Sequence, residues 1–174
     1  MQNHSTSSGL KPLVAACLLA CASLGAQAAT FNFSGVTDSG PNIGVAYSGS
    51  FSFADPAPFF NDSVDLDAFS LDFMGETYTL ADADFTPLAW FGFGDFLGVD
   101  YFSSGPGRPE VALLAGFSDV SEALFSYTVN SATGGPQQGL GSLAFVAVPE
   151  PASLALALAG LALMGGLGAR AKRS

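Results

Sequence analysis

Val45, Tyr47, Phe51 and Phe53 alternate with Ala46, Ser48, Ser50, Ser52 and Ala54, and only Gly49 interrupts the apolar series. A period of two matches the side-chain alternation of a β-strand and does not fit the 3.6-residue repeat of a helix. Phe31 and Phe33 begin the same pattern upstream. Val64-Asp65-Leu66-Asp67-Ala68 continues it, and Phe69, Leu71 and Phe73 resume it in the opposite phase. One extra residue, a β-bulge at Ala68 or Phe69, would bring both halves to one face. Tyr78 with Leu80, residues 125–129 and residues 143–146 supply further strands. Clusters of Gly, Pro, Asp and Ser at 37–42, 55–58 and 103–107 mark turns, and 131–141 reads as a long flexible loop. Residues 118–123 fit one helical turn with an N-terminal cap. About eight short strands at this spacing predict an all-β chain, folded as an antiparallel β-sandwich or jelly roll.

Composition limits the chemistry such a sheet can carry. Between residues 29 and 148 there is no Lys, His or Cys, and Arg108 is the only cation against 14 acids, a net charge of −13. A disulfide scaffold, a His-based metal site, a Ser-His-Asp triad, a Lys Schiff base and a nucleic-acid surface are all excluded. All 16 Phe, all 4 Tyr and Trp90 lie in this stretch, enough ring surface for a core without disulfides. Paired carboxylates are the remaining catalytic option. Glu76, Glu110 and Glu122 are available, but no spacing selects a pair, so the expectation is a non-enzymatic domain.

Two binding sites are open in the same stretch, 29–148. Asp62, Asp65, Asp67 and Asp72 crowd together, with Asp82 and Asp84 as a second group. Asp62, Asp65 and Asp67 offer oxygen ligands for calcium, the one candidate cofactor, although the loop spacing of a calcium-binding hand is missing. The competing reading is a solvated strand face. Trp90, Phe91 and Phe93, separated from the next ring by glycines, form a candidate stacking platform for a glycan, or else fill the core. The sequons at Asn32 and Asn61 are read as chance matches.

Both ends read as addresses. Residues 13–24 are an uncharged apolar run after Lys11, followed by Ala26-Gln27-Ala28. A run of 12 residues is too short for a hydrocarbon layer about 30 Å thick. It fits a secretory signal peptide over 1–28, cut after Ala28 to expose Ala29, with the Sec translocon and signal peptidase as partners. The rival is a lipobox ending at Cys21, which would make the chain a lipoprotein. At the other end, residues 152–169 carry no charge, and 18 residues give about 27 Å of helix, just enough to span. Arg170, Lys172 and Arg173 follow in the basic tail 170–174 and belong on the cytoplasmic side, which places the rest of the chain outside.

Directly before that run stands Val148-Pro149-Glu150-Pro151. Pro-Glu-Pro, then a short apolar helix, then a terminal Arg/Lys cluster resembles the PEP-CTERM sorting signal of exported proteins in exopolysaccharide-producing Gram-negative bacteria. The resemblance covers 148–174 and leaves 29–147 as the passenger domain. It implies an exosortase-type membrane protease as partner, transient residence in the inner membrane, and delivery to the cell surface or extracellular matrix. The prolines hold 148–151 extended, as a protease channel requires. The expected role is structural or interactive, with binding of matrix polysaccharide as the alternative.

Overall fold

The computed structural model describes residues 28–131 and 134–149. The signal segment with Ala26 and Cys21, Glu150, Pro151, the apolar run 152–169 and the charges Arg170, Lys172 and Arg173 lie outside them. Among the described residues no helix is long and apolar enough to cross a membrane.

Among the described residues ten antiparallel strands follow one another: β1 (Ala28–Val36), β2 (Ala46–Ala54), β3 (Ser63–Phe73), β4 (Glu76–Thr79), β5 (Leu88–Gly92), β6 (Asp95–Ser103), β7 (Glu110–Leu114), β8 (Leu124–Ser131), β9 (Gly135–Ser142) and β10 (Ala144–Ala147). Their order in the sheet is β10-β1-β2-β3-β5-β6-β7-β8-β9, with β4 paired to β3 beside β5. Only Leu143 separates β9, which pairs with β8, from β10, which pairs with β1. The chain therefore passes from one sheet edge to the other across a single residue, and the sheet nearly closes on itself. This arrangement replaces the two separate sheets of the expected sandwich. Joining the edges leaves fewer unpaired backbone groups than a sandwich would.

The aromatic rings fill the space the closure creates. Tyr47 of β2 lies 4.1 Å from Phe125 of β8, and Phe69 of β3 stacks at 4.0 Å on Tyr101 of β6 (ring centroids). Phe51, Phe53 and Leu71 join them in the core. The period of two over β2 holds, and the gap at Gly49 has a use. Gly49 faces Phe33 across the β1–β2 pair, and a Cβ there would sit 2.3 Å from the Phe33 ring. The phase change in β3 is a bulge, one step earlier than expected: Ser52 pairs with Ala68 and Phe53 with Leu66, leaving Asp67 unpaired. Asp67 and Ala68 are both exposed, so Leu66 and Phe69 can both point inward.

The stretch read as a flexible loop, 131–141, is mostly strand. Gly135–Ser142 pairs along the whole of β8. Its Gly, Pro and Gln content signals a loop because strand propensity reflects side-chain packing, and here the packing comes from a neighbour. The Tyr127 ring lies over Gly139, where a Cβ would come within 2.3 Å of it. Gly139→Val is expected to cost about 1–3 kcal/mol through overpacking, read as a lower denaturant midpoint. Gln137→Val, exposed on the same strand, should leave the midpoint nearly unchanged. The helical turn at 118–123 appears as a single 3₁₀ turn over Val120–Glu122, capped by the Asp119 carboxylate accepting from the Ser121 amide.

Candidate functional site

Trp90 and Phe91 are neighbours on β5, and the regular alternation of that strand sends their rings to opposite faces. Phe91 turns inward against Phe53 and Phe60, at 5.4 and 6.0 Å. Trp90 stays half-buried on the outer side, and its indole N–H donates to Asp100 Oδ2 at 2.7 Å. Phe93 sits at the β5–β6 turn, 79 % exposed. The three rings proposed as a glycan platform thus face three directions. Phe91 is a core residue because β5 is short and has one inner face to fill.

Around Trp90 the structure builds a cleft that the sequence did not show. It is about 340 Å³ and is lined by Trp90, Leu97, Asp100, Ala115, Gly116 and Phe117. Asp100 is its fixed point, with one oxygen on Trp90 and the other accepting the Ala115 amide at 2.9 Å. Phe117, 95 % exposed, forms the rim. The Glu122 carboxylate accepts from the amides of Phe117 and Ser118 at 3.0 and 2.8 Å, which holds that rim in place. Those hydrogen bonds hold the Glu122 carboxyl below its ordinary pKa. A π-face, a carboxylate and an exposed ring are the elements that recognise a small polar ring such as a sugar. The carboxylate is already committed to Trp90 and Ala115.

The acidic residues separate in three dimensions. Asp65 and Asp67 are exposed along β3. Asp62 accepts from the following amide, that of Ser63. Asp72 accepts from the Thr77 hydroxyl at 2.6 Å. Among the described residues no three acidic, His or Cys side chains come together to hold a metal ion. Asp62, Asp65 and Asp67, read as calcium ligands, are exposed just before and along β3, which lies between β2 and β5. Alternation about the buried Leu66 brings Asp65 and Asp67 to one exposed face of the strand. The catalytic candidates are dispersed too: Glu76 is exposed beside the β3–β4 turn, Glu110 pairs across to Thr128, and Glu122 caps a loop.

Arg108, the lone cation of the passenger, has a structural position. Its guanidinium bonds Asp82 at 3.0 Å and Ser103 at 2.9 Å and lies 4.6 Å from the centre of the Tyr78 ring. Asp82 also accepts from the Thr79 hydroxyl and amide, each at 2.8 Å. Those Thr79 bonds, with Arg108 behind them, hold the Asp82 carboxyl below its ordinary pKa. Its contribution to stability is present above the usual carboxylate range and disappears as pH falls through the lowered value.

The junction with the tail has the clearest geometry. β10 lies against β1, with Phe31 opposite Ala147, and the Val148 amide donates to the Thr30 carbonyl at 2.8 Å. Beyond that bond comes Pro149, which has no N–H to continue a ladder. Ala28 and Ala29, expected to flank the signal cut, are the first residues of β1, so the strand that receives β10 starts at the expected mature end. The last ladder bond and the first strand residue therefore sit side by side.

Residues 147–173 match the family model of the PEP-CTERM protein-sorting motif. No curated protein and no solved structure matches the chain. The match implies export, membrane-associated sorting and an exosortase as a partner.

Proposed function

We propose that this chain is exported through a signal peptide cut after Ala28, held in the inner membrane by residues 152–169, and released by an exosortase near Pro149-Glu150-Pro151. The product is a non-enzymatic domain of the cell surface or extracellular matrix, with a structural or interactive role. The observation behind this reading is where the sorting motif begins: at Ala147, the last residue of β10. Among the described residues all ten strands precede Glu150, so a cut at the Pro-Glu-Pro segment leaves their ladders and the core they enclose whole. A folded domain can then pass on intact.

Replacing Pro149, Glu150 and Pro151 with Ala is expected to leave export unchanged while full-length protein accumulates in the inner membrane. Removing Arg170, Lys172 and Arg173 should instead weaken retention, because those charges hold the tail on the cytoplasmic side. Mass spectrometry of the C-terminal peptide checks both. An intact tail on surface-located protein would overturn the sorting mechanism and leave an ordinary anchor.

The second reading is binding of matrix polysaccharide, and the Trp90 cleft favours it. The passenger's net charge of −13 directs that reading to neutral glycans, since like charges repel across an unscreened contact. Binding of neutral polysaccharide that disappears in Phe117→Ala, with the fold intact, would support it. Equal binding by both proteins would remove the cleft from consideration.

A further inference from the structure

The strand directions sort the loops into two ends. Ala28 pairs with Ala54, and Phe91 donates its amide to the Asp62 carbonyl at 3.0 Å, so the start of β1, the β2–β3 loop and the β5–β6 turn share one end. The tail leaves from that same end, because Val148 is bonded to Thr30. The β7–β8 loop belongs there too: the Gly116 amide donates to Leu97, three residues past the turn glycine Gly94.

Three phenylalanines occupy those loops: Phe59, 84 % exposed, Phe93 and Phe117. No large apolar side chain among the described residues is more exposed than these. Phe59 and Phe93 also have φ of 62° and 54°, a left-handed backbone that bulky residues avoid. Their loops are bonded to each other. The Gly94 amide donates to the Phe60 carbonyl at 2.8 Å, and the Phe93 amide donates to Asn61 Oδ1 at 3.2 Å. A built turn that presents two rings to solvent in an unfavourable backbone conformation is a mark of a contact site.

We propose that this end of the domain rests on the lipid bilayer, with Phe59 and Phe93 inserted at the interface and Phe117 beside them, while the tail is still attached. The proposal rests on the reading of residues 152–169 as a membrane segment. The length of chain outside the described strands supplies the reason. Residues 149–151 span at most about 11 Å, so a tail seated in the membrane holds this end, and no other, against the surface. Aromatic rings partition well into the headgroup region. Asp55, Asp62, Asp95 and Asp119 are exposed on the same loops, so the surface they fit is zwitterionic rather than anionic. The contact would orient the Pro-Glu-Pro segment beside the membrane and be given up on release.

The test uses the full chain reconstituted in phosphatidylcholine vesicles with brominated acyl chains. The single Trp is moved by combining Trp90→Phe with Phe93→Trp, and independently by combining Trp90→Phe with Phe59→Trp. The circular dichroism of each is compared with that of the parent chain. Co-flotation with vesicles reads the tail, and quenching by bromine reads the loop. Quenching of at least twofold in either folded variant supports the contact. Co-flotation without quenching overturns the contact and leaves the membrane segment standing. Failure to co-float overturns the membrane segment itself. Quenching lost on dilution of the protein within the vesicles, with chemical cross-links between copies, would assign the rings to a second copy of the chain and overturn the lipid contact.

Discussion

Phe51→Asp is expected to leave the passenger domain unfolded at neutral pH, with a flat circular dichroism melt in place of the parent's transition. Phe51 is 1 % exposed. It stacks on Phe31 at 5.5 Å and lies about 6 Å from the rings of Phe53, Phe33, Phe96 and Phe145. Losing a buried Phe alone costs about 3–5 kcal/mol. An acid placed there must also remain charged without a partner or bind a proton at neutral pH, which adds several more. The total approaches or exceeds the 5–15 kcal/mol that typically holds a domain together. Ser50→Asp, one residue away, should cost about 1 kcal/mol or less, since Ser50 lies on the outer face between Asn32 and Ser70. Equal damage from both would mean that β2 is buried on its two sides.

Raising the pH should produce an equally sharp loss. Tyr47, Tyr78 and Tyr101 are buried, and each hydroxyl donates to a backbone carbonyl: Ser142, Pro109 and Thr79 respectively. Burial pushes Tyr78 and Tyr101 up to about 12 and raises Tyr47 further. A phenolate formed in place would lose both its solvation and its donated bond. The sign follows from the raised values. Stability is whole below the unfolded tyrosine pKa near 10 and falls as pH rises toward the folded values, by about 1.4 kcal/mol per pH unit for each ring. Three rings acting together give a slope of about 4 kcal/mol per pH unit, so cooperative unfolding is expected between about pH 11 and 13. Tyrosinate absorbance and loss of the β-sheet signal should coincide. Three tyrosines ionising near pH 10 in a folded domain would contradict the burial.

The tail was the most legible part of the chain. Its meaning lies in the order of short elements along the sequence, and the motif match over 147–173 falls on the residues read as the sorting signal, 148–174. Class and strand pattern were legible for a related reason. Alternation over β1, β2 and β3 is a local property, because a strand with one wet face needs it wherever the strand sits. The cap at Asp119 was equally local, since carboxylate and amide lie two residues apart.

What the sequence could not carry were relations between distant segments. β9 has a loop's composition and becomes a strand because Tyr127 of β8 supplies the packing that its glycines lack. The cleft at Trp90 depends on Asp100 and Ala115, 10 and 25 positions away. The bulge opposite Trp90 and Phe91, at Leu97 of β6, is a property of the β5–β6 register. The amino-acid sequence by itself determined that the chain is an acidic, aromatic, antiparallel β-protein with a sorting tag, because periodicity, charge and motif order act over a few residues. Only the tertiary structure decided that the sheet nearly closes through Leu143, and that Phe59, Phe93, Phe117 and the tail leave from one end. Register and strand direction are fixed by pairing between segments far apart, and no short stretch of sequence contains that pairing.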